Sequence, residues 1–387
     1  MKKETKVVSE YHDEIQKCTS CGFCQAGCPV FDTTIRAAYN TRGKMLVLKE
    51  VLDGSAELSQ DLAETFYMCT TCQSCTHYCP RGIRGAEIVE DARKILFQKG
   101  FAPPELKGVM QSIAQTGNVF SSPSEERIDV YPTDLREMAQ KGELKEEAET
   151  LIFMGCLPSY LDMKIVPALI KVLNVAGVDY TTLAKDESCC GFPLYLLGSD
   201  EFEPQAQKLI ARMKATDARE LVTPCAGCYK TLKTLYPKIE ELEVEVYHII
   251  QYLDQLLSQG KLEFTGNIKK RVTYHDPCDL GRACNIFDEP RSVLKHVPGL
   301  EYIEMKRSGI DARCCGGGGN LQAYNPDLAK EMAAKRVRDA LDVGAEVIVS
   351  GCPACKDNLR KGARAIPKEE RKSIKIMDVI EIAAKCL

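Results

Sequence analysis

The second half of the chain alternates between short apolar runs and longer segments with one apolar face. The runs TLIFMG, VDYTTLA and ELVTP are rich in β-branched and apolar residues, which is typical of buried strands. The segments MKIVPALIKVLNVAG and PQAQKLIARMKATDA carry apolar residues at helical spacing, and the first of them ends at a glycine. This alternation of strands and helices predicts parallel strands covered by helices.

The same order of elements recurs toward the C-terminus. VTYH, EYIEM and AEVIVS are predicted strands, and NPDLAKEMAAKRVRDALDVG is a predicted helix. We therefore expect two related Rossmann-like α/β units, one over residues 150–265 and one over residues 266–387. In sheets of this kind, ligands bind outside the carboxyl ends of the strands.

The first 149 residues have a different pattern. RGKMLVLKEVLDG and LAETFYMC are predicted helices within residues 1–100. Residues 101–149 contain two prolines, SSPSEER and the charged stretch LREMAQKGELKEEAE, which predict a connector with a solvated helix. The expected fold class is α+β/α/β, with an α-helical domain over residues 1–100, a helical connector over 101–149 and two repeated α/β domains.

Cysteine is the unusual part of the composition. The chain has 20 cysteines among 387 residues, which is too long for a small secreted disulfide scaffold. Residues Met1 to Glu10 are rich in Lys and Glu, so we expect no secretory signal, and no apolar run is long enough to predict a membrane span. In a reducing compartment, clustered cysteines indicate metal or redox chemistry. The net charge of -4 gives no support for nucleic-acid binding.

Eight cysteines lie in two copies of the spacing C-x2-C-x2-C-x3-C, each followed by proline. They are Cys18, Cys21, Cys24 and Cys28, followed by Pro29, and Cys69, Cys72, Cys75 and Cys79, followed by Pro80. This spacing holds 4Fe–4S cubanes in two-cluster ferredoxins, where the fourth cysteine of each run ligates the other cluster. We therefore assign one cubane to Cys18, Cys21, Cys24 and Cys79, and the other to Cys69, Cys72, Cys75 and Cys28. A pair of zinc knuckles is the alternative, but the complete eight-ligand pattern favours iron–sulfur clusters.

Ten further cysteines form two copies of a lone Cys, a Cys-Cys-Gly and a C-x2-C pair. The first copy consists of Cys156, Cys189, Cys190, Cys225 and Cys228, and the second of Cys278, Cys314, Cys315, Cys352 and Cys355. Both sets are expected at the carboxyl edges of their sheets. A zinc site, dithiol chemistry and an unusual iron–sulfur cluster all compete for these sets. Five thiolates exceed what zinc needs, and dithiol chemistry leaves the lone cysteine unexplained, so an iron–sulfur cluster is favoured.

The combination of a two-cubane ferredoxin module with two Cys-Cys-Gly copies resembles the D-type subunit of heterodisulfide reductase. It is equally similar to a fusion of the C-type and B-type subunits of that enzyme, and the resemblance covers about residues 10–385. The resemblance implies that each five-cysteine set is catalytic and holds a noncubane 4Fe–4S cluster. It also implies that the mixed disulfide of coenzyme M and coenzyme B lodges between the two clusters and is reduced by electrons that arrive through the cubanes.

The expected function is therefore that of a catalytic and electron-transfer oxidoreductase subunit in a heterodisulfide reductase-type complex of anaerobic metabolism. The alternative is a non-catalytic relay from a flavin dehydrogenase, of the glycolate or lactate oxidase type, to a quinone or other acceptor. Because the chain has no flavin or nicotinamide fingerprint, its electron donor must be another protein, either a flavoprotein subunit or a membrane cytochrome b subunit. The other expected partner is a small thiol or disulfide. The expected location is the cytoplasm, or the inner face of the cell membrane through such a protein partner.

Several residues beside the cysteines have candidate roles. His275 precedes Cys278 and could donate a proton to a departing thiolate, although a hydrogen-bonded residue at a strand end is the more common role. Gly191 and the run Gly316 to Gly319 would let the backbone approach a bulky cofactor, and the run lacks the Lys-Ser/Thr of a P-loop. Four cations could neutralise the clusters or an anionic substrate, namely Lys230, Arg282, Arg313 and Lys356.

Overall fold

The computed structural model describes residues 11–145, 147–371 and 373–387. The expectation of no secretory signal rests on Met1 to Glu10 and lies outside these residues. Within the part that the structure describes, no helix combines the length and the apolar character needed to cross a bilayer.

The N-terminal part of the chain is helical. Its α-helices are His12–Gln16, Phe23–Gly27, Pro29–Thr34, Thr41–Leu52, Gln60–Tyr67, Ser74–His77 and Gly85–Gln98, with a 3₁₀ turn at Ala37–Tyr39. The Asn40 side chain starts one of the two predicted helices by accepting a hydrogen bond from the Gly43 backbone N–H at 3.1 Å. Met45, Phe66 and Leu96 belong to an apolar core of this part, and Leu197 of the first α/β unit is buried in the same core.

The connector, residues 101–149, forms helices of its own and contributes to the core of the first α/β unit. It contains α-helices Pro104–Thr116 and Thr133–Lys141 and a 3₁₀ helix Ser124–Val130. The helix in the predicted charged stretch has no buried residue, as expected of a solvated helix. Upstream of it, however, Ile128, Val130 and Tyr131 are buried in the core of the first α/β unit. This stretch of the connector therefore belongs to that unit's packing.

Two four-stranded parallel sheets form the second half. The first has β1 Thr150–Ile152, β2 Tyr180–Thr182, β3 Glu220–Thr223 and β4 Glu245–His248, in the order β2-β1-β3-β4. The second has β5 Arg271–His275, β6 Glu301–Tyr302, β7 Val347–Ser350 and β8 Lys375–Asp378, in the order β6-β5-β7-β8. The expected pair of repeated parallel α/β units is present, with a fourth strand in each sheet that the pattern had not predicted.

The two α/β units pack against each other reciprocally. Helix Ile165–Val175 of the first unit contacts Val379–Lys385 of the second, and Ile249–Ser258 of the first contacts Asp288–Lys295 of the second. Ile165–Val175 is equivalent in the repeat to Asp288–Lys295, and Ile249–Ser258 is equivalent to Val379–Lys385. The two contacts are therefore the same contact made in both directions, which indicates an approximate two-fold axis. The other α-helices are Cys156–Tyr160, Phe192–Leu197, Phe202–Lys214, Ala226–Lys230, Gly281–Cys284, Leu321–Tyr324, Pro326–Asp342, Pro353–Ala365 and Lys368–Arg371. One continuous apolar core runs through both units.

A single buried guanidinium ties the helical domain to both α/β units. Arg93 donates hydrogen bonds to the carbonyl oxygens of Cys69 at 2.6 Å, Leu196 at 2.9 Å and Gly319 at 3.2 Å. These acceptors belong to the second cysteine run, to the first α/β unit and to the glycine run of the second unit. Arg93 is fully buried, so each lost hydrogen bond would leave a donor without water.

The glycine run of the second unit lies against the helical domain. A Cβ atom at Gly319, where φ is +64°, would lie 2.2 Å from the Cys69 carbonyl oxygen, and one at Gly318 would lie 2.9 Å from that of Thr70. Gly317 lies nearer to the five-cysteine set, since its Cβ would be 3.4 Å from the Cys315 sulfur. The run therefore permits close approach of a neighbouring backbone as well as of the cysteines.

Substitution of Gly319 by Ala should weaken this contact. Gly260 is the matched control, because its φ of +67° imposes the same backbone strain while a Cβ there meets nothing within 4 Å. We expect Gly319→Ala to lower the free energy of unfolding by about 1–3 kcal/mol more than Gly260→Ala, measured by urea titration. Equal losses for the two variants would show that Gly319 serves only its own backbone conformation.

The stability should also depend on pH through His248, at the end of β4. Burial lowers the pKa of its imidazole from 6.5 to about 3, so the folded protein holds it neutral. Below pH 6.5 the unfolded chain binds a proton that the folded chain does not, so the free energy of unfolding falls as the pH falls toward 3.

This contribution should amount to about 2 kcal/mol between pH 7.5 and pH 5. The His248 Nδ1 atom accepts a hydrogen bond from the Ile250 backbone N–H at 3.2 Å, and an asparagine oxygen could replace this acceptor without titrating. Urea titrations at the two pH values should therefore show a smaller pH-dependent loss for His248→Asn than for the unchanged chain. The same loss in both would refute this role.

Candidate iron–sulfur centres

The first candidate centre lies in the helical domain. One small pocket is lined by Cys18, Cys21, Cys24 and Cys79, and also by Cys75 of the other assigned set. The charges of Cys18, Cys79 and Cys21 act on Cys24. These are the four cysteines assigned to the first cubane. The pKa of Cys21 is lowered, first of all by the backbone N–H of Phe23, which favours the thiolate that a metal needs.

The second candidate centre is assembled from both runs. Cys28, Cys69, Cys72 and Cys75 line one pocket, and the charges of the other three act on Cys75. Cys28 belongs to the first run but lies with three cysteines of the second. It is the N-cap of helix Pro29–Thr34, and its sulfur accepts a hydrogen bond from the Phe31 backbone N–H at 3.5 Å. Desolvation raises the pKa of the Cys28 thiol to about 12, so without a metal this thiol would stay protonated.

The five cysteines of the first α/β unit meet at the carboxyl edge of its sheet. Cys156 follows β1, and Cys225 caps the short helix that follows β3. All five members are buried, and their thiols form hydrogen-bonding contacts between Cys156 and Cys189, and between Cys190 and Cys228. The lone cysteine, the Cys-Cys pair and the C-x2-C pair thus form one continuous cluster of sulfur atoms.

The second unit repeats this arrangement. Cys278 contacts Cys314, Cys315 contacts Cys355, and Cys352 caps helix Pro353–Ala365. In both units the pKa of the second cysteine of the Cys-Cys pair, Cys190 or Cys315, is lowered. The largest cause is a hydrogen bond donated by the first cysteine of the pair. The two sets therefore have the same internal order of donors and acceptors.

The two sets face each other across one chamber. A cavity of about 390 Å³ is lined by nine of the ten cysteines, from Cys156 of the first unit to Cys355 of the second. The thiols of Cys225 and Cys352, which are equivalent in the repeat, are in hydrogen-bonding contact with each other. Contact between equivalent residues places the approximate two-fold axis at this point.

The number and grouping of the thiols bear on which inorganic core each set could hold. Among the residues that the structure describes, only His275, Cys315 and Cys355 bring three potential ligand atoms within 4.8 Å of one another. A zinc ion, with bonds of about 2.3 Å to sulfur, needs its ligands that close together, so the second five-cysteine set also suits zinc. Each of the four sets gathers thiols around a pocket, and a donor set of four or five thiols fits an iron–sulfur core.

His275 lies behind the second five-cysteine set. Its side chain is buried, its Nδ1 atom accepts a hydrogen bond from the Arg336 Nε–H at 3.2 Å, and it interacts with the Cys315 thiol. It is not among the residues that line the chamber. The geometry therefore suits a residue that orients the cysteines better than one that meets a substrate directly.

Three of the four flanking cations form buried contacts between structural units. Lys356 forms an ion pair with Asp162 at 2.7 Å, and Lys230 lies 3.6 Å from Asp279, so each unit sends a lysine to a carboxylate of the other. The Arg282 Nε–H donates a hydrogen bond to the Cys72 carbonyl oxygen at 2.6 Å. Arg313 instead forms ion pairs with carboxylates of helices Pro29–Thr34 and Pro326–Asp342, closer to the surface.

Sequence reasoning missed a cation in the connector. Arg127 is buried, forms an ion pair with Glu187 at 2.6 Å and approaches the Cys156 sulfur at 4.0 Å. The Glu187 carboxylate in turn accepts hydrogen bonds from the backbone N–H groups of Met154 and Gly155, each at 2.8 Å. Glu187 lies two residues before the Cys-Cys pair, which was the available signal, but the motif SSPSEER contained no indication of Arg127.

Comparisons with known proteins match this architecture. Residues 14–83 match the model of the 4Fe-4S dicluster domain, and residues 150–233 and 272–360 each match the model of a cysteine-rich domain. The D subunit of the dihydromethanophenazine:CoB–CoM heterodisulfide reductase of Methanosarcina acetivorans is 35% identical over 97% of this chain and 94% of the relative. The corresponding D subunit of Methanosarcina mazei is 33% identical over the same shares.

More distant relatives have other names. The EtfAB:quinone oxidoreductase of Syntrophomonas wolfei is 27% identical over 97% of this chain and 58% of its own length. A crystal structure of a hypothetical protein from Helicobacter pylori, 12% identical, matches with a TM-score of 0.58 over 100% of this chain and 77% of its own, which supports the fold. The paired cysteine sets, the two kinds of matching domain and the near full-length similarity agree. The chain belongs to the family of heterodisulfide reductase D-type subunits, which are iron–sulfur oxidoreductases.

Proposed function

We propose that this chain is the catalytic and electron-transfer subunit of a heterodisulfide reductase-type complex and reduces a thiol disulfide. The single observation that carries the proposal is that both five-cysteine sets open onto one cavity of about 390 Å³, which would hold the inorganic cores of both sets side by side. A substrate that enters the same cavity would therefore meet both cores, which a simple relay does not need. The proposed cofactors are two cubane and two noncubane 4Fe–4S clusters, held by the cysteines assigned above.

The reaction requires two electrons and two protons, because one disulfide becomes two thiols. The clusters would supply one electron each and hold one sulfur each. The approximate two-fold axis through the contact between Cys225 and Cys352 gives the two substrate sulfurs equivalent surroundings. A symmetric pair of sites thus suits a bond that is cleaved evenly between two sulfur atoms.

The chamber wall is mixed in character away from the cysteines. Val109, Val119 and Phe120 line it, and so do Lys361 and its ion-pair partner Asp357. A substrate with one apolar arm and one polar arm would find partners for both in such a wall. This is compatible with a mixed disulfide of the coenzyme M and coenzyme B kind.

The route of the electrons follows contacts between the centres. The Cys72 thiol of the second cubane site is in hydrogen-bonding contact with the Cys314 thiol of the second five-cysteine set. Arg282 interacts with both of these thiols and with that of Cys278. We propose that electrons enter the second set here and reach the first set through the neighbouring thiols of Cys225 and Cys352.

The proposal also covers the partner, the location in the cell and the role of His275. The partner that supplies electrons is a flavoprotein or a membrane cytochrome b subunit, and the chain works in the cytoplasm or at the inner membrane face. His275 supports the second set and would influence protonation through it. We also propose that each α/β unit is similar to the Rossmann fold.

A relay function is the second candidate. The name of the Syntrophomonas wolfei relative shows that chains of related sequence occur in a protein that transfers electrons to quinone. A relay would pass electrons through the same centres without cleaving a disulfide, so the two functions differ in one measurable reaction.

The crossing of ligands between the two cubane sites predicts paired effects. Cys79→Ser should alter the electron paramagnetic resonance signal of the site formed with Cys18, Cys21 and Cys24, and Cys28→Ser should alter that of the other site. Cys284→Ser is the control, because Cys284 lies outside all four motifs. If Cys79→Ser changed the signal associated with Cys69 and Cys72 instead, the assignment would be wrong.

Disulfide reduction can be tested with anaerobically purified protein. We expect about 16 iron atoms per chain for four 4Fe–4S clusters, and about 12 with one zinc ion if the second five-cysteine set holds zinc. With reduced methyl viologen, the mixed disulfide of coenzyme M and coenzyme B should consume two electrons per disulfide and release both thiols. Cys190→Ser should abolish this turnover and keep the cubane signals, while Cys284→Ser should retain it. A fully loaded chain without turnover would favour the relay.

A further inference from the structure

The first cubane site reaches the protein surface. Of the 20 cysteines, all of which the structure describes, Cys21 alone is exposed. Phe23, two residues further on, has 61% of its surface exposed, and both residues line the same pocket. Electron tunnelling falls steeply with distance, so this exposed edge is the natural place for an exchange with another protein.

The charged residues that line this pocket have one sign. Arg42 and Arg81 line it, and Arg81 is exposed, whereas none of its lining residues within the described chain is Asp or Glu. Outside the lining, the Lys49 Nζ atom donates a hydrogen bond to the Cys18 carbonyl oxygen at 2.8 Å, and the exposed Lys17 interacts with the Glu14 carboxylate. This local excess of cations stands out in a chain whose net charge is -4.

A local role for these cations would be to offset the charge of the bound thiolates. Lys49 and the half-buried Arg42 suit that role, because they lie near the cysteines in partly desolvated positions. Arg81 suits it less, because water screens an exposed guanidinium strongly. An exposed aromatic residue beside exposed cations instead resembles a binding surface for a protein partner.

We propose that the entry face, defined as Cys21, Phe23 and Arg81, docks an acidic electron-transfer protein. Phe23 would supply the apolar contact, and Arg81 would attract carboxylates of the partner. Each encounter would oxidise the partner by one electron and reduce the neighbouring cubane site by one electron, with no bond formed or broken. The inference rests on the proposed function only in requiring that the first cysteine set holds a redox cluster.

The test measures reduction of the holoprotein by two donors in a stopped-flow instrument. The protein donor is the hydroquinone of an acidic flavodoxin, whose conversion to semiquinone is followed directly. The small donor is the methyl viologen radical, which needs no docking surface. Arg81→Glu reverses the charge on the entry face, and Lys208→Glu is the matched control on the exposed side of helix Phe202–Lys214.

We expect Arg81→Glu to slow reduction by flavodoxin at least about tenfold at low salt, with a smaller loss for Arg81→Gln. Lys208→Glu should leave this rate close to that of the unchanged chain, and the rates with methyl viologen should stay similar in all four proteins. Added salt should slow flavodoxin with the unchanged chain and have little effect with Arg81→Glu. Iron content and resonance signals check that Arg81→Glu retains its clusters.

Equal effects of Arg81→Glu and Lys208→Glu, or a salt-independent rate with the unchanged chain, would overturn the proposal. Its failure is distinct from failure of the proposed function. If disulfide cleavage with methyl viologen persists while Arg81 proves irrelevant, only the docking proposal falls. If cleavage is absent while reduction by flavodoxin depends on Arg81, the entry face stands and the chain acts as a relay.

Discussion

The arrangement of the whole molecule depends on the buried guanidinium of Arg93. It donates to carbonyl oxygens of the helical domain, the first α/β unit and the second α/β unit, so the three parts are held at one point. One of these acceptors is the carbonyl of Cys69, a proposed cluster ligand. A charged donor that is fully buried tolerates no loss of its acceptors, so the second cubane site can hardly shift relative to either five-cysteine set. The constraint that joins the domains is thus also the one that fixes the spacing between the centres.

Duplication explains the position of the chamber that the two five-cysteine sets share. Each parallel sheet gathers its cysteines at the carboxyl ends of its strands, and reciprocal helix packing turns these two edges toward each other. The contact between Cys225 and Cys352 follows from the approximate symmetry. The helical domain breaks that symmetry, because its Cys72 thiol contacts Cys314 of the second set. Under the proposed electron route, the second set would receive electrons before the first.

The sequence predicted local structure and cysteine grouping better than it predicted the contacts between units. β-branched runs revealed three strands of each sheet, but β4 and β8 were missed, because EVYH and KIMD each contain only two adjacent apolar residues. The cysteine groups were predicted from the repetition of their motifs and from the expected carboxyl edges of the strands, and both signals can be read along the chain. Arg93 and Arg127 gave no such signal, since their partners lie far away in the chain and only the tertiary structure brings them together. The close approach of Gly319 to the Cys69 carbonyl was hidden for the same reason.

Burial of the thiols argues that cluster assembly and folding are coupled. Desolvation raises the pKa of Cys28 to about 12, and the pKa values of Cys228 and Cys355 are raised well above 9 because their thiols donate hydrogen bonds to neighbouring cysteines. Metal ligation requires thiolates, so the inorganic cores must themselves supply the positive charge that releases these protons. Cys21, at the exposed edge, differs from these thiols. The Phe23 backbone N–H lowers its pKa, so the thiolate is favoured even before a metal binds. The same gradient of burial separates the exposed Cys21 from the cysteines that line the chamber, nearly all of which are buried.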